Sequence, residues 1–600
     1  MKTLNKSNNY YDYIIVGAGI SGLYTAYELC KKYPTAKICI LEATQYIGGR
    51  LHSIKYDGLI MDGGGARFNT DQHRIISLIK EVGLWDKVVP IEGDTTYKPV
   101  YKSLSKSKLE SISSLEHLFP TIDEFIIYIK KYIKEKHIKR EELINTTIID
   151  FAVKYFSKEY PEIKTYLIDI YPYYSELAIL NAVEGINLFS NEFSKKTKYY
   201  VLNGGLEQLA ETIYNKLLEL KKLNKCNIDI YKERPLLEIS EGLSLKNRQT
   251  GHVLKTDYQD IKNESTESTE SDQSIDGKLI ANKLILTIPK NKLLQIKISM
   301  NSVKNGNDRI DKLFTNINSV QNEPLYRIYA RYPLDKKTHK VWFDGMKKIV
   351  TNLPIKYIIP INYKKGVIMI SYTDSKFAKY WVKQVADGTF EDTLNKQLKE
   401  LFPDITIPKA KWFKHCPWIS GAGYWKKGYD RKKIMLDMIE SLGHRKNLYI
   451  CGENYSSHQA WVEGSLETSN MVLDKIYDYS HLVNRFENKK TQKTNKKMIG
   501  GNKKKLNKTL SKTLKNMNKN ITKIKNYTLE EVAKHNTKSD AWIVIEGKVA
   551  NITKWIPKHP GGDIILKGVG KDATKLFHSI GHDDYAKKMV KKYQIGLLKK

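Results

Sequence analysis

The sequence predicts a multidomain protein of mixed class, α/β in its long amino-terminal part and α+β in a small carboxy-terminal part. Three observations carry this reading: the length, a strand–glycine turn–helix opening, and a lysine-rich stretch that separates two modules. Six hundred residues exceed what one hydrophobic core organises. At 41% apolar, 28% charged and 10% aromatic residues the composition is globular. That excludes a fully disordered, collagen-like or disulfide-scaffold chain.

The opening is read residue by residue. Tyr13 to Val16 is a short β-branched run leading into Gly17-Ala18-Gly19-Ile20-Ser21-Gly22, and LYTAYELCKKY after it is helix-compatible. Each glycine has its own steric reason. Gly17 permits a tight turn, Gly19 lets a pyrophosphate approach the backbone, and Gly22 lets helix and strand pack closely. The helix start then offers free N–H groups and the positive end of its dipole to phosphate. A second strand, KICIL, ends at Glu42, 20 residues beyond Gly22, where an acidic side chain binds a ribose. The pattern is that of a Rossmann-like dinucleotide site; the alternative is a merely structural turn.

Charge marks the boundary between modules. Of the net +34, residues 488–525 contribute +14, with 14 lysines and no acidic residue. Self-repulsion and few large apolar side chains make this stretch an extended linker. Such a stretch can neutralise phosphates nonspecifically, but without interleaved aromatics it cannot stack bases or read sequence. Nucleic acid or an acidic surface is therefore a partner for an alternative, binding-protein reading, against a plain solvated spacer. The wealth of Lys, Asn, Ile and Tyr is also what AT-rich coding produces, as in a giant virus or a protist. A second low-complexity piece, residues 259–276, is acidic and Ser/Thr-rich and reads as an insertion in a hairpin. Residues 115–188 carry apolar side chains at helical spacing, broken at Pro120 and Pro161, and read as a helical subdomain. Five scattered cysteines without a C-x-x-C pair argue against a disulfide framework and for a reducing compartment. No apolar run approaches the roughly 20 residues that span a bilayer, and the start lacks a signal-peptide core. The expectation is a soluble, intracellular protein without a membrane span.

Several motifs together resemble the flavin-containing amine oxidase family: GAGISG with Glu42, then Gly48-Gly49-Arg50, then Asp62-Gly63-Gly64-Gly65-Ala66-Arg67-Phe68, then KYYVLNGGLEQLAETI, and late in the chain LYICGENYSSHQAWVEGSLETSN. The resemblance runs piecewise from about Asp12 to Ile476. It implies a Rossmann-like FAD domain (about 10–90, 195–290 and 405–480) interleaved with a substrate domain (about 91–194 and 291–404), together filling residues 1–487. It implies cofactor contacts from Gly17, Gly19, Gly22, Glu42, Gly49, Arg50, Gly65, Ala66 and Glu453. Trp461, Glu463 and Gly464 would bring the last helix to the flavin. Tyr424 and Trp461 resemble the family's aromatic cage, against ordinary core packing. Gly423 stands where some members tether FAD to a cysteine, so FAD is expected noncovalent. Lys297 resembles the lysine that holds a water near the flavin, against a plain surface lysine. Arg67 resembles the arginine that clamps the carboxylate in L-amino-acid oxidases, a role that suits its planar fork; the alternative is a cofactor or structural contact.

Residues 526–600, from YTLEEVAKHNTKSDAWIVI to KKYQIG, closely resemble cytochrome b5. The resemblance implies a haem b held by His559 in HPGG and His582 in FHSIGH; His578, one turn earlier, is the less fitting choice. Two axial imidazoles suit electron transfer rather than oxygen activation. The alternative is a haem-free binding relative. The expected whole is an FAD-dependent oxidoreductase acting on the CH–NH bond of a small-molecule amine or L-amino acid. Its electrons would pass to O2 or to a one-electron acceptor such as the tethered haem.

Overall fold

The computed structural model of the protein describes residues 10–91, 95–101, 104–191, 197–243, 250–256, 278–299, 306–441, 447–477, 525–556, 559, 562–579 and 584–599. It divides into two units, Met1–Asp478 and Tyr479–Lys600. The lysine-rich linker up to residue 524 and the acidic stretch 259–276 lie outside the described residues.

The centre of the larger unit is a parallel sheet. Strand Tyr10–Val16 lies between Lys37–Leu41 and Lys278–Leu286, with Asn227–Tyr231 beyond the former. Lys278–Leu286 forks: its first residues pair antiparallel with Thr250–Thr256, and its last pair parallel with Leu448–Ile450. The flanks of the acidic stretch thus form the expected hairpin. Ile14, Ile15, Ile38, Ile40, Leu284 and Ile285 are all fully buried. Covered on both faces, parallel strands read as such continuous apolar runs, and an apolar core lies on each side of the sheet.

A second sheet runs in the order Trp412–Trp425, Val320–Arg331, Val367–Asp374, Tyr357–Asn362, Lys348–Val350, Thr95–Tyr97. Two segments change place relative to the expected interleaving. Strand Trp412–Trp425 pairs with Val320–Arg331 in this second sheet, and Lys297–Ser299 pairs with Leu236–Leu243 at the edge of the first. The expected helical subdomain runs from Lys106–Leu118 to Ala182–Asn191, with Pro120 and Pro161 falling between helices.

The cysteine reading is corrected. Cys30 and Cys226 are joined in a disulfide across 196 residues, so cysteine usage no longer argues for a reducing compartment. Spacing gave no cue because the pair meets only through tertiary packing, where helix Ile20–Lys32 lies against Glu207–Lys222, the helix just before Cys226. Among the described residues no helix is long and apolar enough to cross a membrane.

The smaller unit is α+β, as expected. Its sheet runs Lys525–Tyr527, Gln594–Leu598, Lys548–Asn551, Asp540–Ile545, Asn536–Thr537. Its first helix, Leu529–Ala533, starts with a capping box between Thr528 and Glu531, a reciprocal arrangement that satisfies two free helix N–H groups. Ile543, Ile545, Ile552, Ile556, Val569 and Phe577 fill its core.

Candidate active site

The glycine turn separates two kinds of glycine. A Cβ on Gly17, at φ +106°, would lie 2.7 Å from Thr287 Oγ1, and one on Gly22 would lie 1.9 Å from the Gly17 carbonyl oxygen. The chain itself needs those two. A Cβ on Gly19 would find nothing closer than 3.9 Å, the Gly49 Cα, so the room kept there serves something other than the fold. Gly19 is also the N-cap of helix Ile20–Lys32 and gives it no side-chain cap. The fit to a dinucleotide phosphate rests on this open, uncapped helix start. Glu42 reaches the same turn, where its carboxylate accepts from Ala18 N at 2.8 Å and from Thr44 N at 3.0 Å.

The next two motifs fold onto this turn. Gly48 N donates to Ala18 O at 2.8 Å, and Gly49, at φ +61°, stands against Gly19. The cluster Gly63–Gly65 hydrogen-bonds back to the carbonyls of Arg50 and His52. A Cβ on Gly64 would lie 2.0 Å from Arg50 O, which explains why this turn carries glycines; Ala66 follows, half-buried. Arg50 forms an ion pair with buried Glu453 and donates to Gly421 O at 3.2 Å. Glu453 also accepts from Ala460 N at 2.9 Å, tying the Arg50 turn to the loop before Trp461.

Glu463 does something the sequence did not suggest. Its buried carboxylate accepts from the backbone N–H of Arg74 and Ile75 and from the Arg74 guanidinium at 2.9 Å, capping helix His73–Glu81. Gly464 is demanded locally, since a Cβ there would lie 2.2 Å from both His458 O and Ser456 Oγ.

Arg67 lies in the strand Arg67–Asn69, which pairs with Tyr199–Leu202. Its guanidinium carbon sits 5.0 Å from the Tyr199 ring and 5.7 Å from the Trp461 ring, themselves stacked at 6.4 Å. Nη2 is 3.4 Å from the Tyr173 hydroxyl. Burial opposes the charge, but the tyrosines around it, Tyr173 foremost, leave its pKa raised above the ordinary guanidinium value. Among the described residues no carboxylate lies within ion-pair distance of Arg67.

Tyr424 is 3% exposed; burial first, then Glu176 and Asp374, raises its pKa well above the ordinary value. The residue after it, Trp425, is latched to the Trp461 loop: its backbone N–H donates to Gln459 Oε1 at 2.8 Å and its indole N–H to Ser456 O at 2.9 Å. The end of the strand that carries Tyr424 is thus tied to the loop before Trp461. Gly423 is crowded, since a Cβ there would lie 2.1 Å from Asn454 Nδ2.

Lys297 is not brought to this neighbourhood. It is 72% exposed on the edge strand and pairs with Glu238 at 3.4 Å, because the short helix Lys290–Leu293 ends the run after Pro289 and sends the chain back to the first sheet. The lysine beside the site is Lys290, whose Nζ donates to Val320 O at 2.7 Å and whose N–H donates to Asn454 Oδ1 at 3.0 Å. Burial and Lys426 lower its pKa.

Sequence reasoning also missed the carboxylates and tyrosines of the second sheet. Asp374, fully buried, accepts from Tyr174 N at 2.7 Å and Ser175 N at 2.8 Å, and burial pushes its pKa up to about 6. Tyr372 and Tyr173 meet at 5.3 Å, and Arg327 stacks 4.5 Å from Tyr372 while donating to Asp62 O at 2.8 Å. No local motif marks these positions; only the alternation of a buried strand could have exposed a carboxylate at Asp374.

In the smaller unit His559 is half-buried and its N–H donates to Ile556 O at 3.2 Å. His582 and the side chain of His578 lie outside the described residues.

Comparison with known proteins agrees with this division. Residues 15–82 match the model of an NAD(P)-binding Rossmann-like domain, and residues 528–599 match the cytochrome b5-like heme/steroid binding domain. Cytochrome b5 of Oryza sativa subsp. japonica is 52% identical over 73 residues, 12% of this chain and 53% of that protein. An acyl-lipid (8-3)-desaturase of Physcomitrium patens is 53% identical over 75 residues, 12% of this chain and 15% of that protein. The chain thus spans about half the length of that cytochrome and a small part of the desaturase. Wild-type putrescine oxidase bound to putrescine aligns over 78% of this chain and 99% of its own, with a TM-score of 0.54 at 14% identity. The class is therefore defined as a Rossmann-like nucleotide domain within an amine oxidase fold, followed by a cytochrome b5-like domain. The resemblance to flavin amine oxidases holds at the level of the fold, and the cofactors that go with these two modules are FAD and haem.

Proposed function

We propose that the protein is an FAD-dependent oxidoreductase that oxidises the CH–NH bond of a small amine or L-amino acid to an imine. The observation that carries the reading is Arg67. It is a half-buried guanidinium beside the Tyr199 and Trp461 rings that faces no carboxylate among the described residues. A planar fork in that setting suits a substrate carboxylate, bound by two parallel charge-assisted bonds. When bound, FAD supplies the two-electron acceptor for hydride from the carbon next to nitrogen, with O2 or the tethered haem as the next acceptor.

The chain's own residues supply the rest. The open start of helix Ile20–Lys32 at Gly19 takes the phosphates, and Glu42 takes the ribose. Arg50, held by Glu453, contacts the cofactor phosphates. Trp461 and the fully desolvated Tyr424 flank the substrate and exclude water. Arg67 sets its orientation. Lys290, whose backbone N–H meets Asn454, stands nearer the 453–455 turn than exposed Lys297 and would serve there in its stead. His559 and His582 would hold the iron of haem b, which would supply one-electron transfer.

The test is an anaerobic visible spectrum of the purified protein before and after adding L-amino acids, monoamines and polyamines. Flavin bleaching by one class identifies the substrate, and ferrous haem bands appearing afterwards establish transfer to the haem. Absence of flavin absorbance after reconstitution overturns the reading.

A further inference from the structure

Glu323 is an acidic side chain the fold does not use. It lies on strand Val320–Arg331, where Gln321 is opposite Tyr424 and Glu323 is opposite Ala422. Side chains alternate along a strand, so Gln321, Glu323, Ala422 and Tyr424 share one face. Glu323 is only 3% exposed. One carboxylate oxygen accepts from the Gln321 amide; the other, Oε2, is buried and meets no donor. Among the described residues no lysine, arginine or histidine lies within ion-pair distance of it. Its neighbour Asp374 is different, because both of its oxygens are taken by backbone N–H groups of Tyr174 and Ser175.

A buried carboxylate oxygen without a donor is costly, and folded proteins rarely keep one that serves no partner. The wall on which it sits leads to Arg67. Asp374 is two residues from Tyr372 along one strand, Tyr372 meets Tyr173, and Tyr173 lies beside the Arg67 guanidinium. The larger unit therefore holds, joined through Asp374, Tyr372 and Tyr173, a carboxyl group and a guanidinium that have no ion-pair partner among the described residues.

We propose that Glu323 is the anchor of a second subsite, which binds a cationic group carried by the substrate away from its reacting nitrogen. This rests on the amine-oxidising reading above and adds the substrate class: a chain with two basic nitrogens. A basic L-amino acid satisfies both Glu323 and Arg67; a diamine satisfies Glu323 alone.

The experiment measures calorimetric binding under nitrogen to the full-length holoprotein, with paired ligands that differ only in the distal charge. The pairs are L-lysine against L-norleucine and 1,5-diaminopentane against n-pentylamine. The expected result is a preference of about tenfold or more for the charged member of at least one pair, as one charge-assisted hydrogen bond gives. Glu323→Gln should abolish that preference while leaving the neutral member's affinity unchanged, and Glu323→Asp should keep part of it, which separates the subsite from misfolding. Preference in the lysine pair alone assigns the amino acid, and in both pairs the shared diamine chemistry. No preference in either pair, or one that survives Glu323→Gln, overturns the proposal. Flavin bleaching in the same samples separates the two readings. Charge-selective binding without bleaching keeps the subsite and removes the oxidase, whereas bleaching without charge selectivity does the reverse.

Discussion

Arg67→Met is the most informative single change. Methionine keeps an apolar chain beside Tyr199 and Trp461 and recovers part of the ring contact through its sulfur, but it removes the planar fork. Truncating one partner of a desolvated charge pair costs about 2–5 kcal/mol, which is roughly 30-fold to several-thousand-fold in affinity. The two ring contacts, at 5.0 and 5.7 Å, add about 0.5–2 kcal/mol each to stability, so the melting temperature should fall modestly while flavin stays bound. The assay is anaerobic stopped-flow reduction of the flavin, comparing an L-amino acid with the amine that remains when its carboxyl group is removed. The amino acid should lose at least the lower figure in kcat/KM, chiefly through KM, and the decarboxylated amine should change little. Equal losses for both would refute the carboxylate clamp, leaving Arg67 a packing and charge-balancing residue.

Further outcomes follow from other parts of the structure. The pKa of Asp374 is about 6 in the fold against an ordinary 3.8. Its stabilising effect is therefore full below the lower value and lost as pH rises through the upper one, amounting to at most about 3 kcal/mol. Urea unfolding across that window should show a larger step in the wild type than in Asp374→Asn, where Asp169, also pushed up to about 6 by burial, keeps the remainder; an unchanged step would assign it elsewhere. Acid precipitation should release all flavin from the wild type. Gly423→Cys should weaken flavin retention rather than create a tether, because its Cβ would strike Asn454; flavin remaining in the pellet contradicts this. His559→Ala and His582→Ala should each abolish the low-spin haem spectrum with flavin absorbance intact, whereas His578→Ala should keep it. Loss of haem in the last variant alone would exchange the ligand assignment.

The parts of the fold legible in the sequence were those whose demands are local. Gly22 announces itself because a Cβ there meets the Gly17 carbonyl oxygen within one turn, Gly17 through the tight turn it makes at φ +106°, and Glu42 because one helix and one strand fix its distance from the glycines. The helical stretch was legible from spacing and from Pro120 and Pro161. What escaped depends on contacts between distant segments. Glu463 was expected beside the cofactor, yet it caps a helix that starts 390 residues earlier at His73. Lys297 resembles an inward lysine by its place in the sequence, but the short helix Lys290–Leu293 turns the chain back to the edge of the first sheet. The partnership of Cys30 with Cys226 and the isolation of Glu323 leave no local trace, because both are products of strand order. Glu323 in particular sits in VQNEPLYR, where nothing but the register with Ala422 says it is buried.

The position of Leu448–Ile450 beside Lys278–Leu286 has a consequence for how the protein is made. The sheet that begins with Tyr10–Val16 is not complete until a strand more than 400 residues later leaves the ribosome. At about 5–20 residues per second, the first strand and its glycine turn wait on the order of half a minute or longer for their last neighbour. Truncation anywhere before residue 450 removes that neighbour and leaves an open edge, a template for association with other chains. The carboxy-terminal module begins and ends its own sheet between Lys525 and Leu598, so it can fold within seconds of synthesis. A nascent chain therefore carries its slowest-forming part first and its quickest last.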